Sequence, residues 1–273
     1  MQIIQLTNIT YKQTMGYVFR AKTGEVLVVD GGHTGNYREL ERIINRCGGH
    51  VDLWLLTHPH CDHYNAIIDL LSSDTNVTYD ALGAGILPDE WGADSEDNDG
   101  GEIVVWNAFV PKLGDKFFEI REGQAWQLGS MKVEVLAGNN PDLKMNPINN
   151  QSCVFRITED DFSIIVLGDL GEEAGDRLLS KGYDLRADAV QMAHHGQNGV
   201  KESLYQAVAP KYAFWPTPLW LFVNSRTKQL IPDSATYQTP EVIEWMRKLK
   251  AVNIVSFDHT VMFDTETKIF GPY

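Results

Sequence analysis

The sequence predicts an α/β (α+β) protein in which β-sheets are covered by helices on their outer faces. Short apolar runs rich in β-branched and aromatic residues recur between turn-forming residues, which is typical of buried strands. Helical patterns lie between them, without strict alternation of strand and helix. The 273 residues are 43% apolar, enough for one large core, so we expect a single domain over residues 1–273.

Seven runs are predicted to be strands and five segments to be helices. The strands are 25–30, 52–56, 131–136, 152–157, 162–168, 188–192 and 211–215. The helices are 37–47, 62–71, 172–180, 201–208 and 239–250. Asn36 and Glu39 have the spacing of a reciprocal cap for the first helix.

Two segments stand apart from this pattern. Residues 89–102 carry seven acidic side chains, no basic one and three glycines, which predicts a solvated, mobile loop. Their spacing does not match a calcium-binding EF-hand loop. Residues 214–236 begin with an aromatic stretch containing Trp215, Trp220 and Phe222. It is either an edge of the core or a lid over a binding site.

Charge and cysteine content narrow the possible functions. The formal net charge is −14, from 37 acidic and 23 basic residues, the wrong sign for binding nucleic acid through its phosphates. We therefore expect a small-molecule substrate. Cys47, Cys61 and Cys153 form no CxxC pair, which favours a reducing compartment. No secretion signal or membrane-spanning run is visible, so the protein is expected to be cytoplasmic and not membrane-bound.

A cluster of metal-binding side chains follows the strand at 52–56. His58 and His60 are two residues apart in extended chain, so both project to the same side. Asp62 and His63 follow where a helix is predicted to begin. Histidines and aspartates are poor core residues, so the cluster predicts a metal site.

Further candidate ligands follow two later strands. Asp169 comes after the strand 162–168, where a Gly-Asp pair is either a turn or a ligand. His194 and His195 come after the strand 188–192. Adjacent residues point opposite ways in extended chain, so we expect one histidine to bind metal and the other to contact substrate or a supporting group.

These blocks together resemble the metallo-β-lactamase superfamily. The string HPHCDH (58–63) matches its H-x-H-x-D-H signature, Asp30 in VLVVDGG its early aspartate, Asp169 its bridging carboxylate and His195 its late histidine. The strings NNQSCVF, GDLG and HHG are most similar to the subgroup of phosphorylcholine esterases and hydrolase-like domains of DNA-uptake competence proteins. The resemblance implies a four-layer αββα sandwich.

The resemblance also implies how the ligands divide between two metal ions. One ion would be held by His58, His60 and Asp169, and the other by Asp62, His63, His195 and the bridging Asp169. Nitrogen and oxygen donors without thiolates favour zinc, as one or two ions per chain, with manganese or iron as alternatives. Asp30 is expected to fix a ligand histidine by a hydrogen bond, or else to serve only in a turn.

The chain departs from the family pattern at one ligand. Related members such as glyoxalase II have a further histidine before the bridging aspartate, whereas this segment reads NPINNQS. The first site is therefore one ligand short, unless Asn149, Asn150 or water completes it. We expect the second site to be the tighter.

The function implied by the resemblance is metal-dependent hydrolysis through a metal-bound hydroxide, on a small phosphodiester. Asp62, Asp169 and His194 are the expected catalytic residues, with His194 polarising substrate or protonating the leaving group. Hydrolysis of a carboxylic ester, thioester or lactone is the alternative reaction. A non-catalytic metal-binding domain is the alternative of another class. The oligomeric state stays open.

Overall fold

The computed structural model describes residues 1–9, 11–89, 100–225 and 237–273. Most of the acidic segment 89–102 and the second half of the segment 214–236 lie outside the described residues.

The described chain contains seventeen strands and seven α-helices. The strands are β1 (Gln2–Gln5), β2 (Gly16–Arg20), β3 (Val26–Asp30), β4 (His50–Val51), β5 (Leu53–Leu55), β6 (Thr78–Tyr79), β7 (Leu82–Ala84), β8 (Phe117–Glu119), β9 (Ala125–Leu128), β10 (Met131–Ala137), β11 (Val154–Glu159), β12 (Phe162–Val166), β13 (Ala189–Gln191), β14 (Tyr212–Trp215), β15 (Val252–Val255), β16 (Val261–Asp264) and β17 (Phe270–Pro272). The helices are α1 (Tyr37–Arg46), α2 (Cys61–Leu71), α3 (Gly100–Phe109), α4 (Glu172–Ser180), α5 (Glu202–Val208), α6 (Leu219–Phe222) and α7 (Thr239–Leu249).

Two large sheets form the inner layers. The first has eight strands in the order β17-β16-β1-β2-β3-β5-β7-β8, and the second has seven in the order β15-β14-β13-β12-β11-β10-β9. The short strands β4 and β6 pair separately. Side chains such as Phe19 and Val29 from the first sheet and Phe155 and Ile164 from the second form one buried cluster between the sheets. Fully burying such a side chain contributes about 1.5–3 kcal/mol.

Helices cover both outer faces. Leu40 of α1 and Ile67 of α2 pack with residues of the first sheet, whereas Leu178 of α4, Leu204 of α5 and Met246 of α7 pack with the second. The layers therefore run helix, sheet, sheet, helix. The predicted four-layer αββα sandwich is confirmed.

Strand direction brings several loops to one edge. β3, β5, β7 and β8 run parallel in the first sheet, as do β12 to β15 in the second. Parallel strands present their carboxyl ends at the same edge, which is where open α/β sheets bind ligands. The backbone N–H of Cys153 donates to the carbonyl of Thr57 at 2.8 Å and joins the two sheets near this edge.

Several local predictions are corrected by the structure. The Asn36 side chain does not cap α1. Its oxygen accepts from Thr14 and its amide donates to the carbonyl of Thr7, because long-range partners compete for the same groups. The end of the predicted acidic loop is helical, since α3 begins at Gly100. Phe214 and Trp215 belong to the buried strand β14 and not to a lid.

Candidate metal centre

The loop between β5 and α2 brings the first two histidines together. His58 is buried, and its Nε2 lies 2.8 Å from Nδ1 of His60. Asp62 and His63 lie in the first turn of α2 and point to the same site, as expected. The predicted cluster is therefore a cluster in space as well as in sequence.

Asp169 comes from the second sheet, directly beyond β12. Its backbone N–H donates to Ser152 Oγ at 3.0 Å, which fixes the loop. The preceding Gly168 has φ +58°, and a Cβ there would lie 2.8 Å from Ser152 Oγ. Glycine is thus required for the loop to place Asp169 between the two sheets.

The structure separates the two adjacent histidines. Both have left-handed backbone, with φ +50° at His194 and +54° at His195. His195 is fully buried, and its Nδ1 lies 2.7 Å from the carbonyl of Pro216, so Nε2 faces the ligands. His194 places Nδ1 at 3.1 Å from the carbonyl of Asn198, and its Nε2 lies 4.0 Å from Asp169 Oδ2.

Two groups of potential metal donors result, each with donor atoms within 4.8 Å of one another. We call His58, His60 and Asp169 the first group, and Asp62, His63 and His195 the second group. Asp169 also lies next to the second group, with its carboxylate oxygens 3.4 Å from His63 Nε2 and 3.3 Å from His195 Nε2. It is therefore placed to bridge them.

The donor atoms fit a pair of divalent ions. His63 Nε2, Asp169 Oδ1 and His195 Nε2 are buried and have only one another, Asp62 Oδ2 and Asp169 Oδ2 as polar neighbours among the described donors, at 3.0–3.4 Å. Imidazole nitrogens and carboxylate oxygens are ligands that zinc accepts. A bound cation would satisfy all three atoms at once.

The charges of the site reinforce this conclusion. Burial lowers the pKa of His195, but Asp169 and Asp62 more than offset this and raise it to about 10. Burial raises the pKa of Asp169, yet His195 and His63 hold it well below its usual range. Without metal, protonated imidazole therefore supplies the positive charge that the carboxylates require.

Asp30 supports the second group from behind. Its oxygens accept from the backbone N–H of Thr57 at 2.7 Å and from the Thr57 hydroxyl at 2.8 Å. The second oxygen also lies 2.8 Å from His63 Nδ1. This contact leaves His63 Nε2 free to face the metal position, a common arrangement for ligand histidines.

The two asparagines of NPINNQS have different environments. Asn150 lies away from the ligands: its oxygen accepts from the backbone N–H of Gly171 at 3.1 Å and of Ala174 at 3.3 Å, at the start of α4. Asn149 lines the site, is 6% exposed, and has an oxygen without a hydrogen-bond partner among the described residues. Asn150 therefore does not complete the first group.

The metal donors open into a cleft of about 420 Å³. Its lining residues are Tyr11, Lys12, Gln13, His33, His60, Cys61, Asp62, Glu102, Asn149, Asp169, His194 and Trp220. The sequence did not single out Tyr11, Lys12, Gln13 or Glu102. Trp220 belongs to the aromatic stretch considered above, and its Nε1 donates to the carbonyl of Tyr11 at 2.8 Å, which joins the two walls of the cleft.

Glu102 stabilises the start of α2, a role that was not visible from its position in the acidic segment 89–102. Its Oε2 accepts from the backbone N–H of Cys61 at 2.5 Å, at the first residue of α2. Burial and Glu102 raise the pKa of the Cys61 thiol to about 12. The thiol therefore stays protonated near neutral pH, whereas binding to a metal ion requires the thiolate.

Two sequence comparisons relate the chain to known proteins. The metallo-beta-lactamase superfamily model matches residues 10–214. A segment of 96 residues is 29% identical to ComE operon protein 3 of Bacillus subtilis (strain 168), covering 35% of this chain but only 12% of that protein.

Two solved structures share the fold over nearly the whole chain. The metallo-beta-lactamase fold protein YhfI from Bacillus subtilis is 12% identical, with a TM-score of 0.56, over 97% of this chain and 100% of that one. Zn(2+)-bound PqqB from Methylobacterium extorquens is 9% identical, with a TM-score of 0.51, over 97% and 100%.

None of the described helices has the length and apolar character needed to cross a membrane. The family model covers most of the chain, and the predicted ligand loops meet at one edge of a sandwich shared with YhfI. The chain therefore belongs to the metallo-beta-lactamase superfamily.

Proposed function

We propose that the protein is a metal-dependent hydrolase of a small phosphodiester. The observation that carries this proposal is the meeting of two three-residue donor groups at Asp169, inside a cleft. Nitrogen and oxygen donors suit zinc, and manganese or iron are alternatives. A metal pair in such a site lowers the pKa of bound water and stabilises the charge that develops on the substrate.

The chain's own residues divide the remaining work. Asp169 lies between the two groups and fixes their separation, while Asp62 adds negative charge beside His195, with Oδ2 at 3.0 Å from Nε2. Asp30 and the carbonyl of Pro216 fix the ring orientations of His63 and His195. The site is thus held in place before substrate arrives, which is how electrostatic catalysis avoids reorganisation.

His194 is the residue proposed to move a proton. The contact of its Nδ1 with the Asn198 carbonyl assigns the ring proton to Nδ1, because a carbonyl can only accept. Nε2 then faces the cleft as an acceptor. It can take a proton from the attacking water and return it to the leaving oxygen, as general base and then general acid.

The dimensions of the cleft and the net charge of the chain favour a small substrate over a long polyanion. The cleft volume of about 420 Å³ lies within the range of small-molecule sites, about 300–1,000 Å³. Lys12 lines the cleft and would attract an anion locally, whereas the net charge of −14 opposes a long polyanion. Tyr11 and Trp220 offer ring faces to an apolar or cationic substituent.

The test is a substrate panel with zinc-loaded and chelator-treated protein at moderate salt. We expect turnover of bis-p-nitrophenyl phosphate or p-nitrophenyl phosphorylcholine, lost on chelation, and little cleavage of single-stranded DNA. Faster cleavage of DNA would contradict the charge argument. Turnover of a lactone alone would support carboxylic ester hydrolysis instead. Metal binding without turnover of any of these substrates would support a non-catalytic metal-binding domain.

A further inference from the structure

Asn149 presents a buried oxygen to the metal cleft. The side chain is 6% exposed, and its Oδ1 has no hydrogen-bond partner among the described residues. Its Nδ2 donates to Asn146 Oδ1 at 2.8 Å. This hydrogen bond fixes the orientation of the amide and leaves its oxygen without a hydrogen-bond donor. A buried acceptor of this kind lacks a positive partner.

The turn that carries Asn149 lies against the first group. Ser152, three residues further along, has its Oγ 3.3 Å from His58 Nδ1 and accepts from the backbone N–H of Asp169 at 3.0 Å. His58 and Asp169 both belong to the first group. The second group is supported from elsewhere, by Asp30 and Pro216.

The first group supplies three donors, whereas a structural zinc site takes four and a catalytic site takes three with water. We propose that the side-chain oxygen of Asn149 completes the first group as a metal donor, an inference that rests on the proposed metal-dependent function. In this proposal the asparagine takes the part of the histidine that the resemblance gives to related members.

The choice of an amide oxygen has a chemical consequence. Imidazole is a favoured ligand of zinc, whereas neutral carbonyl oxygens suit harder ions such as manganese. The first group therefore binds zinc more weakly than the second group and accepts manganese more readily. The unequal zinc affinities of the two groups then follow from the types of donor atom that each group contains, and do not indicate that the first group has lost its function.

The experiment measures metal binding and not turnover. Metal-free wild type and the variants Asn149→Leu, Asn149→His and Gln13→Leu are titrated with zinc and with manganese, and bound metal is counted after dialysis. Gln13→Leu is the matched control, because it removes another amide from the same cleft. Circular dichroism confirms that each variant is folded.

We expect wild type to bind two zinc ions in two steps. Asn149→Leu should weaken one step at least about tenfold, since even groups behind the ligands contribute about 10–100-fold. Asn149→His should strengthen that step for zinc and reduce its relative affinity for manganese. Gln13→Leu should leave both steps unchanged.

Three results would overturn the inference. They are unchanged zinc affinities in Asn149→Leu, equal weakening in Gln13→Leu, and a wild type that binds one ion with Asn149→Leu unaffected. Loss of turnover in Asn149→Leu with both metal steps intact would instead assign the oxygen to substrate binding. A wild type that binds no metal would refute the proposed function itself.

Discussion

At the scale of single residues, the site depends on buried groups that act through their neighbours. Asp30 has left-handed backbone, with φ +58°, and is fully buried, so burial raises its pKa. Thr57 and His63 oppose this effect of burial by making three hydrogen-bond contacts with its two oxygens. Its negative charge orients His63 and raises the basicity of the ligand.

Asp30→Asn should therefore weaken metal binding as well as the fold. The amide cannot accept the same three contacts, so we expect the free energy of unfolding to fall by about 1–3 kcal/mol. Zinc affinity of the second group should fall about 10–100-fold. Urea denaturation and zinc titration measure both effects. Asp160→Asn is the control, since that side chain is 61% exposed and belongs to neither donor group; equal behaviour of the two variants would contradict the role of Asp30.

The ligands were predictable from sequence because their signal is local. Four of them fall within His58–His63, and the others directly follow strands. The environments of Asn149 and Asn150 were not predictable, because they depend on contacts with Asn146 and with the start of α4. Because the two residues are adjacent and identical, the sequence cannot show which side-chain oxygen lies at the cleft and which one holds the start of α4.

At the scale of elements, α2 carries two of the six metal donors, Asp62 and His63, and begins without a cap of its own. The residue before it, His60, makes no capping hydrogen bond, although the first N–H groups of a helix need partners. Glu102 of α3 supplies one by accepting from Cys61. One helix is thus capped by another, next to Asp62 and His63.

Replacing Glu102 should loosen the start of α2. Glu102→Ala is expected to lower the free energy of unfolding by about 0.5–2 kcal/mol, the usual cost of losing a cap. Glu102→Gln, which keeps an acceptor oxygen, should cost less. Glu172→Ala is the control, because that carboxylate lies in the first turn of α4 and is 51% exposed. Equal stability of the two alanine variants in thermal and urea unfolding would refute the cap.

Apolar patterns long enough to interpret predicted the strands β3, β5 and β10 to β14 and the helices α1, α2, α4, α5 and α7. The ten-residue α3 was not predicted. β1, β2, β16 and β17 were not predicted, since each has only three to five residues. β1 also pairs with β16, near the other end of the chain. Glu102 was assigned to an acidic loop because the composition of a segment shows its charge but not the hydrogen bonds that its side chains form. Its contact with Cys61 spans 41 residues and depends on the packed sandwich.

At the scale of the whole molecule, protons and metal ions compete for one buried site. The pKa values of His63 and His195 are raised in the metal-free protein, that of His195 to about 10. An unfolded histidine has a pKa of about 6.5. The folded metal-free state therefore binds more protons between these values, so its stability falls as pH rises.

The stability of the metal-free protein should consequently depend on pH above about 6.5, whereas that of the zinc-loaded protein should be nearly independent of pH there. Between about pH 6.5 and 10, the free energy of unfolding of the chelator-treated protein should decrease with pH. Zinc affinity should rise over the same range, because binding displaces fewer protons. Urea unfolding at pH 7 and pH 9, with and without zinc, measures the two slopes. Parallel slopes would show that protons and zinc do not share the site.

The hydrogen bond from the backbone N–H of Cys153 to the carbonyl of Thr57 joins the two sheets beside the metal-binding residues. His58 to His63 are carried by the first sheet, and Asp169 and His195 by the second. An ion held by both sets would cross-link the two sheets at the edge where the cleft opens. Such an ion would contribute to stability as a link between the two halves of the fold, in addition to any part that it takes in chemistry.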